Sequence, residues 1–485
     1  MLQNREVKIS PRGTKKYHVF QGVDDEFKLT MYSLVNPIVY FDPDVDGVIS
    51  GLLICRFLAK HGKTYNWYIN SNRSHDWSLP LNAVRGRDIV AVDFIVSPDK
   101  VKELCDVGCN VVSIDHHVNG LQGQFSYKSK YYTRGLIINN QHPGEEEDSR
   151  YLSGAGVVFE SLVQIDPEMD TNENRALVGI TLLSDIREIE NPLAEWYLYN
   201  LYTHRYKGYI KYLIDATMGE KDYGFGIPRM DRNFVDFKFS PAINSCLRFN
   251  KQNDVVNFMM GRGSLDLGYH KKQKELVAKI LEKCKVINLE KLKVCYFMEE
   301  DFMQYADVLS NFVGLVASKN LDGNRSVICY MLGNSKVKNI KRASFRGNIN
   351  GLDYQGSLMY LFQCLGHKSA FGIKGIIPSK STFLSANEKC RMLEEEENYQ
   401  KTIINVQNLS MFNANKIAED NMYRLSQNRV YLRYKGTSIH KRRSGSNYAE
   451  YVVNGVPVLS FGNKQVTDGL ILPILERGIV NFYLE

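Results

Sequence analysis

The sequence predicts an α/β protein of two α/β lobes joined by a helical connector and followed by a small C-terminal β-rich module. Short apolar strands alternate with amphipathic helices from residue 37 to residue 186. A mostly helical, tyrosine-rich stretch follows, and the alternation resumes near residue 290 before giving way to short strands separated by turns. Strands alternating with helices imply a parallel sheet.

The first unit opens with the apolar run PIVYF, the turn-rich loop DPDVDG and the helix VISGLLICRFLAKHG, which stops at Gly62. RDIVAVDF repeats the strand, Ser97 and Pro98 mark a helix start, DKVKELCDV is the helix, Gly108 ends it, and NVVSID is the next strand. The helical stretches GAGVVFESLVQI and NRALVGITLLSDI complete a first domain over residues 1–195. Residues 196–288, including the amphipathic YHKKQKELVAKILEKCKV, form the connector. KLKVCYFM, YADVLSNFVGLVASK, RSVICYML and VKNIKRASFRG belong to a second, smaller lobe over 289–384. A charged surface helix, NEKCRMLEEEENYQK, lies in a helical linker over 385–424, and the β-rich module covers 425–485.

Composition narrows the class. With 485 residues, 44% hydrophobic and 24% charged, the chain has the profile of a folded multidomain protein rather than a disordered or fibrous one. The polar N-terminus has no apolar signal region and no apolar run is long enough to cross a bilayer, so a cytoplasmic location without membrane contact is expected. Nine cysteines without a CxxC pair argue against a disulfide framework or a zinc ribbon. The net charge of +7 is compatible with a polyanionic partner.

The chemistry collects at strand ends. In Asp42-Pro43-Asp44-Val45-Asp46-Gly47, carboxylates alternate along a loop directly after an apolar strand. Ligands of open α/β sheets bind beyond the carboxyl ends of strands, and a hard divalent cation would offset the repulsion among these acids. Alone, the loop reads equally well as an acidic turn in water. A second strand ends at Asp93 and a third at Asp115-His116-His117, so separate strands deliver acids and imidazoles to one rim. Asp185 follows an apolar helix, where an acid opposes the helix dipole. Such a mixed cluster suits two cations about 3.5–4 Å apart, which activate water and stabilise charge on the attacking and leaving oxygens of phosphoryl chemistry.

In order and spacing, DPDVDG, Asp93, DHH and Asp185 resemble the motifs of the DHH phosphoesterase superfamily. The resemblance implies that Asp44, Asp46, Asp93, His116 and Asp185 ligate two divalent cations, Mn2+ or Mg2+, with Asp93 bridging. It implies further that His117 faces the scissile phosphate, that Asp115 belongs to the catalytic group, and that Asp42 acts as a ligand or through a neighbour. Tyr40 stands where some relatives carry a ligating histidine.

From residue 37 to residue 375 the similarity is to RecJ exonucleases within that superfamily. YINSNRSHD resembles a RecJ segment and puts Asn72 and Arg73 near substrate, while LSGAGV resembles the RecJ stretch LxGxGV, with Gly154 and Gly156 allowing close backbone approach. FSPAINSCLRF resembles PRxNAAGR, keeping Pro241, Asn244 and Arg248 and replacing the early arginine with Ala242. LSNFVGLVASK resembles HxGVxGIVASR with Asn311 in place of the histidine. RASFRG resembles GSxRS and nominates Ser344 and Arg346 for phosphate contact. CLGHKSAFGI resembles the GGGH signature of the DHH-associated domain, keeping Gly366 and His367 with Cys364 and Leu365 in place of the first two glycines.

The resemblance implies a single-strand-specific exonuclease acting 5′ to 3′ on DNA, or on RNA, in recombination, repair or replication, with partner proteins from those processes. Hydrolysis of short oligoribonucleotides or cyclic dinucleotides is the enzymatic alternative, and a non-catalytic nucleic-acid-binding scaffold the alternative of another class. Among 29 tyrosines and 23 phenylalanines, some are expected to stack on bases and most to fill cores. His440, Lys441, Arg442 and Arg443 are expected on a turn of the C-terminal module, as a phosphate-tracking hairpin or a solvated loop.

Overall fold

The computed structural model describes residues 11–13, 17–70, 77–118, 121–185, 189–218, 229–333, 339–349, 351–374, 378–396, 403–406, 411–424, 429–434, 439–444, 448–453, 456–461, 469–476 and 479–484. The chain divides into two compact units, each discontinuous in sequence: Tyr17–Asn174 with Phe239–Asn398, and Met1–Lys16 with Arg175–Lys238 and Tyr399–Glu485.

The first of these units holds two lobes. Its N-terminal lobe is built on a six-stranded sheet of β1 (Ile38–Phe41), β2 (Asn66–Ile69), β3 (Ile89–Val92), β4 (Val111–Asp115), β5 (Phe125–Lys128) and β6 (Arg134–Asn139), in the order β2-β1-β3-β4-β6-β5. All neighbours are parallel except the edge pair β5 and β6. The central strands β1, β3 and β4 are buried along their whole length, which is why they read as continuous apolar runs rather than as alternations. Ser97 caps the helix Pro98–Asp106 by accepting the Lys100 N–H at 3.2 Å, with proline in the first turn. The helix Val45–Lys60 is buried on nearly every side, including Gly51, where a Cβ would meet the Phe41 ring at 2.5 Å.

The second lobe also carries six strands: β7 (Lys285–Asn288), β8 (Leu292–Met298), β9 (Ser326–Leu332), β10 (Ile340–Arg346), β11 (Gln363–His367) and β12 (Ala370–Lys374). Their order is β11-β12-β10-β9-β8-β7, and only β8 and β9 run parallel. This sheet is therefore mixed and mostly antiparallel, built from hairpins as well as a crossover. The charged helix Lys380–Glu396 is not only a surface element. It sends Ala386 and Cys390 into the lobe's core, and buried Glu394 receives the Tyr354 hydroxyl at 2.9 Å and Lys291 Nζ at 3.1 Å. Helices Ser240–Arg248 and Gln252–Met259 pack on Val45–Lys60, and Gly268–Lys283 joins Ser240–Arg248 to Val313–Lys319, so this part of the connector ties the two lobes into one unit.

The other unit contains the helices Pro192–Thr203, Gly208–Thr217 and Met411–Met422 and a seven-stranded sheet. Its strands are β13 (Ile403–Val406), β14 (Tyr431–Tyr434), β15 (Ile439–Ser444), β16 (Tyr448–Val453), β17 (Val456–Phe461), β18 (Gly469–Glu476) and β19 (Ile479–Leu484), ordered β13-β14-β18-β19-β17-β16-β15. The stretch expected as a helical linker thus contributes β13. Asn421 locks its helix to the sheet, donating to the carbonyls of Val430 and Pro473 and accepting the Val430 N–H at 2.8 Å. His440–Arg443, expected on a turn, lie within β15, where the antiparallel neighbour β16 supplies their backbone partners, with a bulge between Lys441 and Arg443.

No disulfide joins any of the nine cysteines, and seven of them are buried. Among the described residues no helix is long and apolar enough to cross a membrane.

Candidate metal centre

The parallel topology of β1, β3 and β4 brings Asp42, Asp93 and Asp115 to the same rim, because each follows or ends a neighbouring strand at its carboxyl end. Asp42, Asp46, Asp93, Asp115, His116 and His117 are all buried. So many carboxylates desolvated together are strongly unfavourable without compensating positive charge.

The loop after β1 is shaped by Gly47, where a Cβ would meet the Asp42 carbonyl oxygen at 2.4 Å. Asp44 caps the helix Val45–Lys60, its Oδ1 accepting the Gly47 N–H at 3.0 Å. Asp46 is held from another direction. Its two oxygens accept the N–H groups of Gly154 and Ala155 at 2.6 and 2.9 Å, at the positive end of the helix Gly154–Ile165. The carboxylate is thereby fixed and its charge favoured, with Oδ2 3.8 Å from His116 Nε2.

Asp93 has φ +63°, in the left-handed region that aspartate tolerates better than most residues. Its N–H still donates to the Ile114 carbonyl at 3.0 Å, so the strained residue is anchored to β4 as the chain leaves the sheet. Its Oδ1 lies 3.2 Å from His116 Nε2. Gly154 makes room for it: a Cβ there would meet Asp93 Oδ1 at 2.5 Å. The first glycine of the GAG run thus serves two acids, presenting its N–H to Asp46 and its bare Cα to Asp93.

Asp115 and His117 share a hydrogen bond between Oδ1 and Nδ1 at 2.7 Å, which orients the imidazole. Asn139, opposite Asp115 on β6, donates to the His117 carbonyl at 2.9 Å and accepts the Gln141 N–H at 2.7 Å. Asn139 positions the Asp-His-His turn and was not singled out from sequence. Its signal, a polar residue ending an otherwise apolar strand, is too common to point to a site.

Ligating atoms of Asp93, Asp115, His116 and His117 all fall within 4.8 Å of one another, and those of His116, His117 and His367 do likewise. His367 comes from the second lobe, at the end of β11, and its ring stacks on His117 with centroids 4.8 Å apart. It lies 5.5 Å from the His116 ring. Gly366 has φ +136°, so the retained glycine is required by the backbone of β11 just before His367. Carboxylate oxygens with imidazole nitrogens fit a divalent cation, and the oxygen-rich part of the set favours Mn2+ or Mg2+.

Tyr40 is not turned to the rim. Its buried hydroxyl donates to Asn70 Oδ1 at 3.0 Å and shares a hydrogen bond with Ser78 Oγ at 2.7 Å, and burial pushes its pKa up to about 12. Asp185 follows the helix Asn172–Ser184, its N–H donating to the Thr181 carbonyl at 2.9 Å. Arg73 and Asn72 lie outside the described residues.

On the connector, Asn244 Oδ1 is buried without a hydrogen-bond partner among the described residues. Arg248 donates to Gln273 at 2.9 Å, and its carbonyl accepts from Asn311 at 3.0 Å, so Asn311 joins connector and second lobe. On β10, Arg346 donates to Ser344 Oγ at 2.8 Å, its guanidinium admitted by Gly314, where a Cβ would meet Nη2 at 2.5 Å. Burial, followed by the nearby charge of Arg342, lowers the Arg346 pKa to about 10. An anion beside Ser344 and Arg346 would relieve that burial of charge.

Residues 38–183 match the DHH family, N-terminal domain. The chain is similar to RecJ from Thermus thermophilus in complex with Mn2+, at 16% identity and TM-score 0.63, over 97% of this chain and 72% of that one. The Mg2+ complex of RecJ from the same organism matches at 15% identity and TM-score 0.58, over 97% of this chain and 70% of the other. An exonuclease RecJ bound to manganese matches at 15% identity and TM-score 0.52, over 80% of this chain and 97% of that one. No curated protein matches the sequence.

Proposed function

We propose that this chain, with its DHH-family domain and RecJ-like fold, is a metal-dependent phosphodiesterase that releases 5′-mononucleotides from single-stranded DNA in the 5′ to 3′ direction. The observation that carries this reading is the meeting of Asp93, Asp115, His116 and His117 with His367 of the second lobe. A site of one lobe, completed by a histidine from another, can hold cations on one side and a phosphodiester on the other.

Asp46, Asp93 and His116 would hold the cations, with Asp44 and Asp185 as further ligands. Bound there, the cations supply an activated water and Lewis acidity for the phosphoryl oxygens. The protein's own groups do the positioning. Asp46 is fixed by the helix N-terminus, and Asp115 sets the orientation of His117 so that its Nε2 would face a phosphate oxygen. His367 completes the donor set only when the second lobe is in place, and Ser344 and Arg346 extend it along the backbone of the strand.

The test is turnover by purified protein with Mn2+ or Mg2+ on a 5′-labelled single strand, a dinucleotide and a cyclic dinucleotide. The reading expects mononucleotides from the single strand, suppressed by EDTA. Hydrolysis confined to either small substrate, or no metal-dependent turnover, overturns it.

A further inference from the structure

At the opposite end of the N-terminal sheet from the metal centre, the β5–β6 hairpin carries an exposed aromatic and cationic tip, Lys128-Ser129-Lys130-Tyr131-Tyr132-Thr133-Arg134. Because β6 runs parallel to β4 with Asn139 opposite Asp115, the hairpin tip precedes the rim by the length of β6, about 17 Å of strand.

The tip is tied together by its own hydrogen bonds. Ser129 N–H donates to the Thr133 carbonyl and Tyr132 N–H to the Ser129 carbonyl, both at 3.0 Å. Ser129 Oγ accepts the Tyr131 N–H at 3.1 Å and pairs with Thr133 Oγ1 at 2.5 Å, while Thr133 Oγ1 also bonds the Cys105 carbonyl at 2.7 Å. On this frame Tyr131 is 56% exposed and Tyr132 80%. Tyr132 has φ +63°, a left-handed conformation that a bulky side chain adopts only at a cost in strain and that glycine would adopt without one. An exposed aromatic ring held at that cost gains nothing for the core.

The hairpin's own charges have one sign, and the acids near it, Glu26 and Asp106, lie against Arg134 and Tyr127 at its base. Lys128 Nζ lies 5.5 Å from the Tyr132 ring centroid and Lys130 Nζ 5.1 Å from that of Tyr131, so each ring is flanked by an ammonium. Arg134 shares its charge with Glu26 at 3.7 Å, and residues 125–134 contain no acid. Exposed aromatic rings beside cations match the bases and phosphates of a single strand.

We propose that this hairpin is a second binding site for single-stranded nucleic acid, holding the strand remote from the nucleotide being cleaved. Tyr131 and Tyr132 stack on bases while Lys128 and Lys130 meet phosphates. The proposal rests on the single-strand reading for its substrate, yet it is separable from it, because the hairpin contributes nothing to the metal centre.

The experiment measures anisotropy of labelled single strands of about 4 and about 30 nucleotides in EDTA, and Mn2+-dependent turnover of both. The variants are Tyr131→Ala with Tyr132→Gly, the latter suited to the left-handed backbone, Lys128→Gln with Lys130→Gln, and Tyr131→Trp, which keeps a stacking face. The first two should bind the long strand about tenfold more weakly, with short-strand turnover unchanged and Tyr131→Trp like wild type. Long-strand binding that equals wild type in both variants overturns the hairpin site while leaving the nuclease reading intact. Hairpin-dependent binding by a protein that cleaves neither strand supports the site and removes the nuclease. If the variants lose binding to polyglutamate but not to the long strand, the tip serves an acidic protein partner and the proposal fails.

Discussion

The two lobes of the larger unit each carry six strands, yet they bring residues to the site by different routes. In the N-terminal lobe the central strands are parallel, so Asp42, Asp93 and Asp115 reach one rim as a consequence of topology. In the second lobe the strands mostly alternate in direction, and a single hairpin, turned at Lys368 and Ser369, delivers His367. The parallel sheet gathers its acids and imidazoles from neighbouring strand ends, whereas the mostly antiparallel one brings His367 from a single hairpin. The first lobe should therefore govern metal affinity and the second should govern substrate turnover.

Substitutions divide along that line. Asp93→Asn keeps the left-handed backbone tolerable and removes one charge, and it should lower turnover by about 10³-fold together with Mn2+ affinity, followed by steady-state kinetics and calorimetry. His367→Ala should cost about 10²-fold in turnover while Mn2+ affinity stays at the wild-type value. An equal loss of metal binding in His367→Ala would break the division between lobes. Gly154→Ala introduces a Cβ against Asp93 and should lower metal affinity by about 10- to 100-fold, as displacement of a ligand's support does, without altering the far-ultraviolet circular dichroism. Asn139→Ala leaves the buried His117 carbonyl without its donor and should cost about 1–3 kcal/mol of stability in urea denaturation.

The same contrast explains what the sequence made legible. Buried parallel strands read as apolar runs, and the acids that follow them stand out, so the sheet and most of its rim residues can be read from the residues themselves. His367 was nominated by resemblance, since a histidine at a hairpin has no periodic signal. Asn139 and the double role of Gly154 were hidden because they act through a carbonyl and through the absence of a Cβ. Tyr40, which stands where some relatives carry a ligating histidine, has its hydroxyl satisfied by Asn70 and Ser78 inside the lobe. The basic run at His440–Arg443 lies in a strand rather than on a turn, because charge alone does not distinguish a strand from a loop.

The most direct measurement is Mn2+ binding followed by electron paramagnetic resonance, on wild-type protein and on Asp93→Asn, with mononucleotide release recorded on the same samples. The account predicts two bound Mn2+ per wild-type chain, loss of at least one in Asp93→Asn, and loss of release in parallel. Wild-type protein that binds no Mn2+, or Asp93→Asn that binds and turns over as wild type does, would contradict it.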